Sequence, residues 1–400
     1  MLETLNDSMR LAIVLGLVPA LVGCGCSRDA DAADTPGPGT VTDVDTPGDT
    51  DTGAMPSDAV AAPDTATETD TAAETDTATA DTTPAPMPER CDAWAPVQVR
   101  GTLGADKLDE LSGLAASRRL PGVLWTHNDS GEKTARIFAL GTDASLRATL
   151  VLDTIDPDDW EDIAMGRCSD ASTTLDCIYV ADTGDNKHER SEVAVVRVVE
   201  PDALPPMRDD GRAPRKSRVD TGVTSFRVRF PSRPDLSGAE RKLAEHPDIE
   251  AMVVLPDRRV VFFDKREDGT SVVFRAALQA GALVTAESLG SLNLADGPLK
   301  KGPSLRTTAA DLDLAGSTLL LRTYFRVYVL DVGGALAAEP DAAGPLLAAA
   351  SAAKLSIPHG FDTQGESIAF DPAGGFWHVS EGKAQPLHFV GCASAPPPAP

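Results

Sequence analysis

One short apolar signature returns five times between residues 110 and 370, and this recurrence constrains the fold more than any other property of the chain. The copies read Glu110-Leu111-Ser112-Gly113-Leu114-Ala115, Trp160-Glu161-Asp162-Ile163-Ala164-Met165, Ile249-Glu250-Ala251-Met252-Val253-Val254, Ala310-Asp311-Leu312-Asp313-Leu314 and Gly365-Glu366-Ser367-Ile368-Ala369-Phe370. After a turn, each copy is followed by a second apolar run with a polar tail, at 123–127, 178–182, 260–264, 319–323 and 376–380. Third runs follow at 136–140, 193–197, 272–275, 326–330 and 386–390, and fourth runs at 149–152, 225–230, 289–294 and 354–357. The fifth copy has no fourth run before the chain ends, while one lies unused ahead of the first copy, at 97–103.

Runs of four to six residues rich in Val, Ile and Phe, punctuated by Gly, Asp and Pro, read as strands. Four strands per repeat with a spare at the opposite end describe an all-β fold, a five-bladed β-propeller closed by its own N-terminal strand. Five blades then use twenty strands with none left over. The long spacing from Glu161 to Glu250 is assigned to a Pro/Arg-rich insertion at 201–221, and a six-bladed count would need an extra blade hidden there. The Gly-His and Trp-Asp pairs of WD40 repeats are missing. Cys91 precedes the spare strand and Cys392 follows the last one, so ring closure brings them together as a disulfide. Cys168 and Cys177 flank one turn of the second repeat and read as a hairpin bridge. Metal ligation is the rival use of these thiols, but no Cys-x-x-Cys pair is present.

The apolar run at 11–22 is too short to cross a hydrocarbon core of ~30 Å as a helix and suits the h-region of a secretory signal. It ends in Leu21-Val22-Gly23-Cys24, which resembles the bacterial lipoprotein box. That resemblance implies lipid modification at Cys24, which becomes residue one of the mature chain, and a membrane contact through the lipid. Gly25 after the cysteine resembles the outer-membrane-directed pattern, placing the protein in the bacterial cell envelope. Export also implies an oxidising compartment for the remaining cysteines. The expected organisation is a signal peptide at 1–23, a lipid-anchored linker at 24–90, the propeller at 91–393 and a disordered Pro/Ala tail at 394–400. Residues 27–90 are almost wholly Asp, Thr, Ala, Pro and Gly, with 15 acids and 2 bases, and cannot bury enough apolar area to offset backbone entropy. They are expected to form an extended, disordered tether. The formal net charge of −25 argues against nucleic acid as a partner, which needs a basic face. The chain is read as a monomer.

In a propeller, the starts of the signature runs and the tails of the second runs converge on one mouth of the central channel. There the sequence places Glu110, Glu161, Asp162, Glu250, Asp311 and Glu366, together with tail residues Asn128, Asp129, Asp182, Asn186, Lys265 and Arg322. Crowded carboxylates repel unless they are protonated, paired or bound to a cation. All-oxygen ligands suit a hard ion, so Ca²⁺ is the expected cofactor, with Glu161, Glu250, Asp311 and Glu366 as its ligands. Asp-Gly and Asp-Asn tails are also ordinary turn chemistry, so the expectation rests on recurrence in register and not on any single acid. No Gly-x-Ser-x-Gly elbow or His-Glu-x-x-His motif appears.

The runs Asp159-Trp160-Glu161-Asp162-Ile163-Ala164, Ala181-Asp182-Thr183-Gly184-Asp185-Asn186 and Gly365-Glu366-Ser367-Ile368-Ala369 resemble those of uncharacterised bacterial secreted β-propeller proteins. More remotely they are similar to calcium-dependent propeller hydrolases of the phytase-like and paraoxonase-like kind, a resemblance that implies a central cation. Two functions follow as expectations. One is a surface module that binds a protein, glycan or small molecule at the mouth. The other is a Ca²⁺-dependent hydrolase of phosphoesters or lactones, with His127 or Asp185 as the general base.

Overall fold

The computed structural model describes residues 91, 93–104, 108–129, 133–169, 175–206, 216–295, 300–357, 359 and 362–393. The signal peptide, Cys24, the linker and the Pro/Ala tail lie outside the described residues. Five antiparallel blades follow one another along the chain. Blade 1 holds β2 (Leu111–Ala116), β3 (Val123–Asn128), β4 (Arg136–Gly141) and β5 (Leu146–Val151). Blade 2 holds β6 (Trp160–Arg167), β7 (Asp176–Asp182), β8 (Val193–Val199) and β10 (Val223–Arg229). Blade 3 is β11 (Ile249–Val254), β12 (Val260–Asp264), β13 (Thr270–Ala276) and β15 (Glu287–Asn293). Blade 4 is β16 (Thr307–Leu312), β17 (Thr318–Thr323), β18 (Arg326–Asp331) and β19 (Leu355–Ile357). In blade 5, β20 (Gly365–Phe370), β21 (Phe376–Ser380) and β22 (Pro386–Val390) are completed by β1 (Gln98–Thr102), the N-terminal strand, which pairs antiparallel with β22.

The expected blade count and closure hold, and the strand count is corrected from twenty to twenty-two among the described residues. The insertion at 201–221 contributes β9 (Lys216–Arg218), which pairs parallel with β5 of blade 1 instead of building a sixth blade. Likewise β14 (Leu283–Thr285), from blade 3, pairs parallel with β10 of blade 2. Each addition reaches back to the outer edge of the preceding blade. A 3-10 helix at Pro303–Leu305 and two α-helices, α1 (Gly238–Glu245) and α2 (Pro340–Ala352), complete the described elements, with α2 lying against β15.

The core explains why the inner runs are continuously apolar. Strand side chains alternate between two faces, and both faces of a blade pack against neighbours. Phe262 thus joins the cluster between blades 2 and 3, while Phe263, one residue on, joins the cluster between blades 3 and 4. Equivalent clusters separate the remaining blades. The ring is stapled by Cys91–Cys392, and Cys168–Cys177 closes the hairpin between β6 and β7, both as expected.

Neighbouring inner strands are also joined by side-chain bonds to backbone. Ser112 donates to the Glu161 carbonyl, and Thr308 to that of Gly365. Asp162, fully buried, accepts from Ile163 N on its own strand, from Met252 N on β11 at 2.8 Å and from Ala310 N on β16 at 3.2 Å. One carboxyl therefore joins blades 2, 3 and 4. Burial pushes its pKa well above the ordinary range against the pull of three backbone donors. Gly113 permits this approach. Its φ is +65°, and a Cβ there would meet Ile163 N at 2.7 Å.

Candidate cation site at the channel mouth

The mouth is built from three repeating positions. Two belong to the start of each inner strand. The carbonyls of Glu110, Asp159, Asp248 and Gln364 each accept an N–H from the residue just after a second strand, and the side chains two residues further on are Ser112, Glu161, Glu250 and Glu366. Glu161, Glu250, Thr308 and Glu366 are the extra residues of β-bulges, with no partner across the ladder. A bulge re-aims the side chain it carries, here at the start of the inner strand. The third position follows the second strand, and there stand Asp129, Thr183, Lys265, Tyr324 and Glu381.

Blades 1 to 3 bring five acids together. Asp129, Asp159 and Glu161 form one group and Glu161, Asp248 and Glu250 a second, with ligand oxygens within 4.8 Å of one another in each group. Glu161 belongs to both. Burial, reinforced by Asp159, pushes the Asp129 carboxyl up to about 8, and the two acids share a hydrogen bond. Burial likewise raises Asp159, and it raises Glu161 well above its ordinary range, with Glu250 and Asp129 adding repulsion. Glu250 is pushed to about 7 by burial, although Lys265 Nζ lies 2.6 Å from its Oε1 and pulls the other way. Burial opposes the Lys265 charge, but contact with Glu250 outweighs it and holds the ammonium's pKa above its usual value. Glu366 stands apart with Glu381 and Gln364. Burial and then Glu381 raise it to about 9.

Beside these acids opens a cleft of ≈ 390 Å³ that shares Asp248 and Lys265 with the mouth and is also lined by Asn186, His188, Arg266 and Arg306. Arg266 is ion-paired with Asp264 and Asp268, and Arg306 with Glu267.

The structure separates the other residues expected here. Asp311 is the main correction. The residue equivalent to Glu161 in blade 4 is Thr308, and Asp311 lies three positions further along β16, accepting from Phe370 N at 2.7 Å and Leu312 N at 2.8 Å. In blade 1 the equivalent is Ser112, and the exposed Glu110 holds the position of Asp159. Asp182 accepts from Asp158 N, Asp159 N and Arg190, so it orients the loop carrying Asp159. Asp185 accepts from Glu189 N and Arg190 N, each at 2.8 Å, and caps the following turn. Asn128 is buried at the end of β3. His127 is fully buried in that strand, edge-on to Trp160 at 5.4 Å, and burial lowers its pKa to about 4. Arg322 has no exposed side-chain surface and donates to Asp362 at 2.6 Å.

Asp159 and Asp248 were missed at this position. A signal existed: Asp159-x-Glu161, Asp248-x-Glu250 and Gln364-x-Glu366 repeat one spacing, which places both polar side chains at the start of an inner strand.

What fold and mouth define is a five-bladed β-propeller with a carboxylate-lined channel opening. No family model matches the chain, and no curated protein matches its sequence. Among solved structures it is similar to the PQQ-bound aldose sugar dehydrogenase of Streptomyces coelicolor, at 13% identity and a TM-score of 0.37, over 74% of this chain and 100% of that one. The apo soluble aldose sugar dehydrogenase of Escherichia coli aligns at 12% identity and a TM-score of 0.35, over 74% and 99%. A Bacteroides thetaiotaomicron protein of unknown function aligns at 11% and 0.35, over 74% and 75%.

Proposed function

We propose that this chain is an envelope-anchored binding module, tethered through lipid on Cys24, whose propeller mouth holds Ca²⁺ and presents it to a polar ligand in the adjoining cleft. The observation carrying this reading is the pair of three-carboxylate groups sharing Glu161. Several buried acids in one place are stable only when protonated or neutralised, and Lys265 is in contact with just one of them. A hard divalent ion with oxygen ligands neutralises the rest. The cleft supports a ligand beside the ion, since it joins the site at Asp248 and offers charges of both signs. Binding is favoured over hydrolysis because His127 lies in the core and Asp185 is engaged by backbone donors.

Calorimetric titration of chelator-treated protein is expected to show saturable Ca²⁺ binding that exceeds Mg²⁺ binding and weakens at least ~10-fold in Glu161→Gln. Absence of heat, with a melting temperature indifferent to chelator, would sink the metal reading.

A pH dependence follows. The folded carboxyls of Glu250, Asp129 and Glu366, at about 7, 8 and 9, keep protons that the unfolded chain releases near pH 4. The unfolded state therefore binds fewer protons, and stability falls as pH rises through this window. The metal-free protein should lose roughly 5 °C or more in melting temperature between pH 5 and 9. Because Ca²⁺ displaces those protons, its affinity should rise with pH, and saturating Ca²⁺ should flatten the decline. A metal-free melting temperature that climbs between pH 6 and 9 contradicts this account.

A further inference from the structure

Outside the mouth, a second group of ligand-type side chains is buried in blade 5. Asp362 precedes β20, and His378 and His388 face each other across β21 and β22. One ligand atom from each lies within 4.8 Å of the others. Nδ1 of His378 is 3.2 Å from Asp362 Oδ2, and Nδ1 of His388 is 3.5 Å from Oδ1. Nε2 of His359 stands 4.0 Å from Oδ2. The side chains of His378 and Asp362 are 0% and 2% exposed.

Two buried imidazoles converging on one carboxylate point to a shared ligand. Among the described residues, Nε2 of His378 has no hydrogen-bond partner, and Nδ1 of His378 and Nδ1 of His388 share the single Asp362 carboxylate without good alignment, all three shielded from water. A buried nitrogen left unsatisfied costs stability that a bound ion would offset. The close but misaligned spacing is that of atoms sharing a third centre. With bonds of ~2.0–2.2 Å, adjacent ligand atoms stand ~3.4 Å apart around a tetrahedral metal and ~2.9 Å around an octahedral one. The 3.2 and 3.5 Å separations fall at this scale. Arg322, 2.6 Å from Asp362 Oδ2, fixes the carboxylate from outside, as hydrogen-bond partners of ligating groups do. Imidazoles with one carboxylate suit a first-row transition ion and not Ca²⁺, which takes oxygen ligands.

We propose that Asp362, His378 and His388 bind one divalent transition-metal ion of the Zn²⁺ class, with His359 beside them as a further donor. The ion ties the segment before β20 to both β21 and β22, next to the strand that closes the ring.

Chelator-stripped full-length protein, held in excess Ca²⁺, is titrated with Co²⁺ as a visible-absorption probe. One equivalent should bind with the d–d bands of nitrogen and oxygen ligation, and Zn²⁺ should displace it. His388→Gln and Asp362→Asn should each weaken binding by ~100-fold or more. Should either variant fail to fold, X-ray absorption on the Zn²⁺-loaded, Ca²⁺-saturated wild type decides: two imidazoles in the shell fit this group, whereas the mouth and its cleft offer carboxylates and the single imidazole of His188. Failure of folded wild type to take up Co²⁺, uptake unchanged in a folded His388→Gln, or an all-oxygen Zn²⁺ shell each overturns the proposal. The Ca²⁺ reading of the mouth stands or falls separately on its own titration.

Discussion

Asp162→Ala should lower folding stability by about 4 kcal/mol, more than any exposed acid replaced in the same way. The substitution orphans three N–H groups on three inner strands, those of Ile163, Met252 and Ala310, and leaves a gap between those strands. Unpaired buried donors lose their water without replacement, and the side chains packed around them collapse only partly into the vacated volume. Asp162→Asn should cost less, because the amide keeps an acceptor oxygen while turning a donor toward the remaining N–H groups. Urea unfolding of the two variants against wild type measures this directly. Midpoints within about 0.5 kcal/mol of wild type for Asp162→Ala would show that the inner strands are held without it.

Cys392→Ser is expected to act at the other end of the architecture. Cys91 and Cys392 are 301 residues apart, so their bond removes a very large loop from the unfolded ensemble, worth up to ~5 kcal/mol. Its loss leaves β1 held to β22 chiefly by ladder hydrogen bonds and apolar contact. The expected result is a melting temperature lower by ~10 °C or more, with early proteolytic release of the N-terminal strand. Cys168→Ser, which opens a span of only 9 residues, should cost clearly less. Equal effects from the two replacements would show that ring closure does not depend on the staple.

The blades were legible because both faces of the first two strands of each blade are largely buried, which turns them into apolar runs such as Val260-Val261-Phe262-Phe263 in β12. The two parallel edge strands were not, since Lys216–Arg218 is polar and Leu283–Thr285 is three residues long, and neither carries a periodicity that marks a strand. Glu161 and Glu250 were placed together at the mouth and their oxygens do lie close, whereas Asp311 was aligned with them on spacing alone. Bulges set that register, and a bulge is decided by how neighbouring inner strands approach, which a single run of sequence does not record. His378 and His388 lie in different strands, so their meeting depends on hairpin register and not on local pattern.

A propeller's perimeter is a ring of open sheet edges, each able to recruit a strand from another molecule. Here four of the five blade edges are blunted, and blade 5 presents the five-residue β1. Blades 1 and 2 end in the three-residue strands β9 and β14, blade 4 ends in the equally short β19, and blade 3 has α2 laid against β15. Short edges offer too few hydrogen bonds to hold a foreign strand. Four edges are therefore poor templates for sheet fusion, and pairing between neighbouring copies would be confined to β1, which the Cys91–Cys392 staple holds against β22.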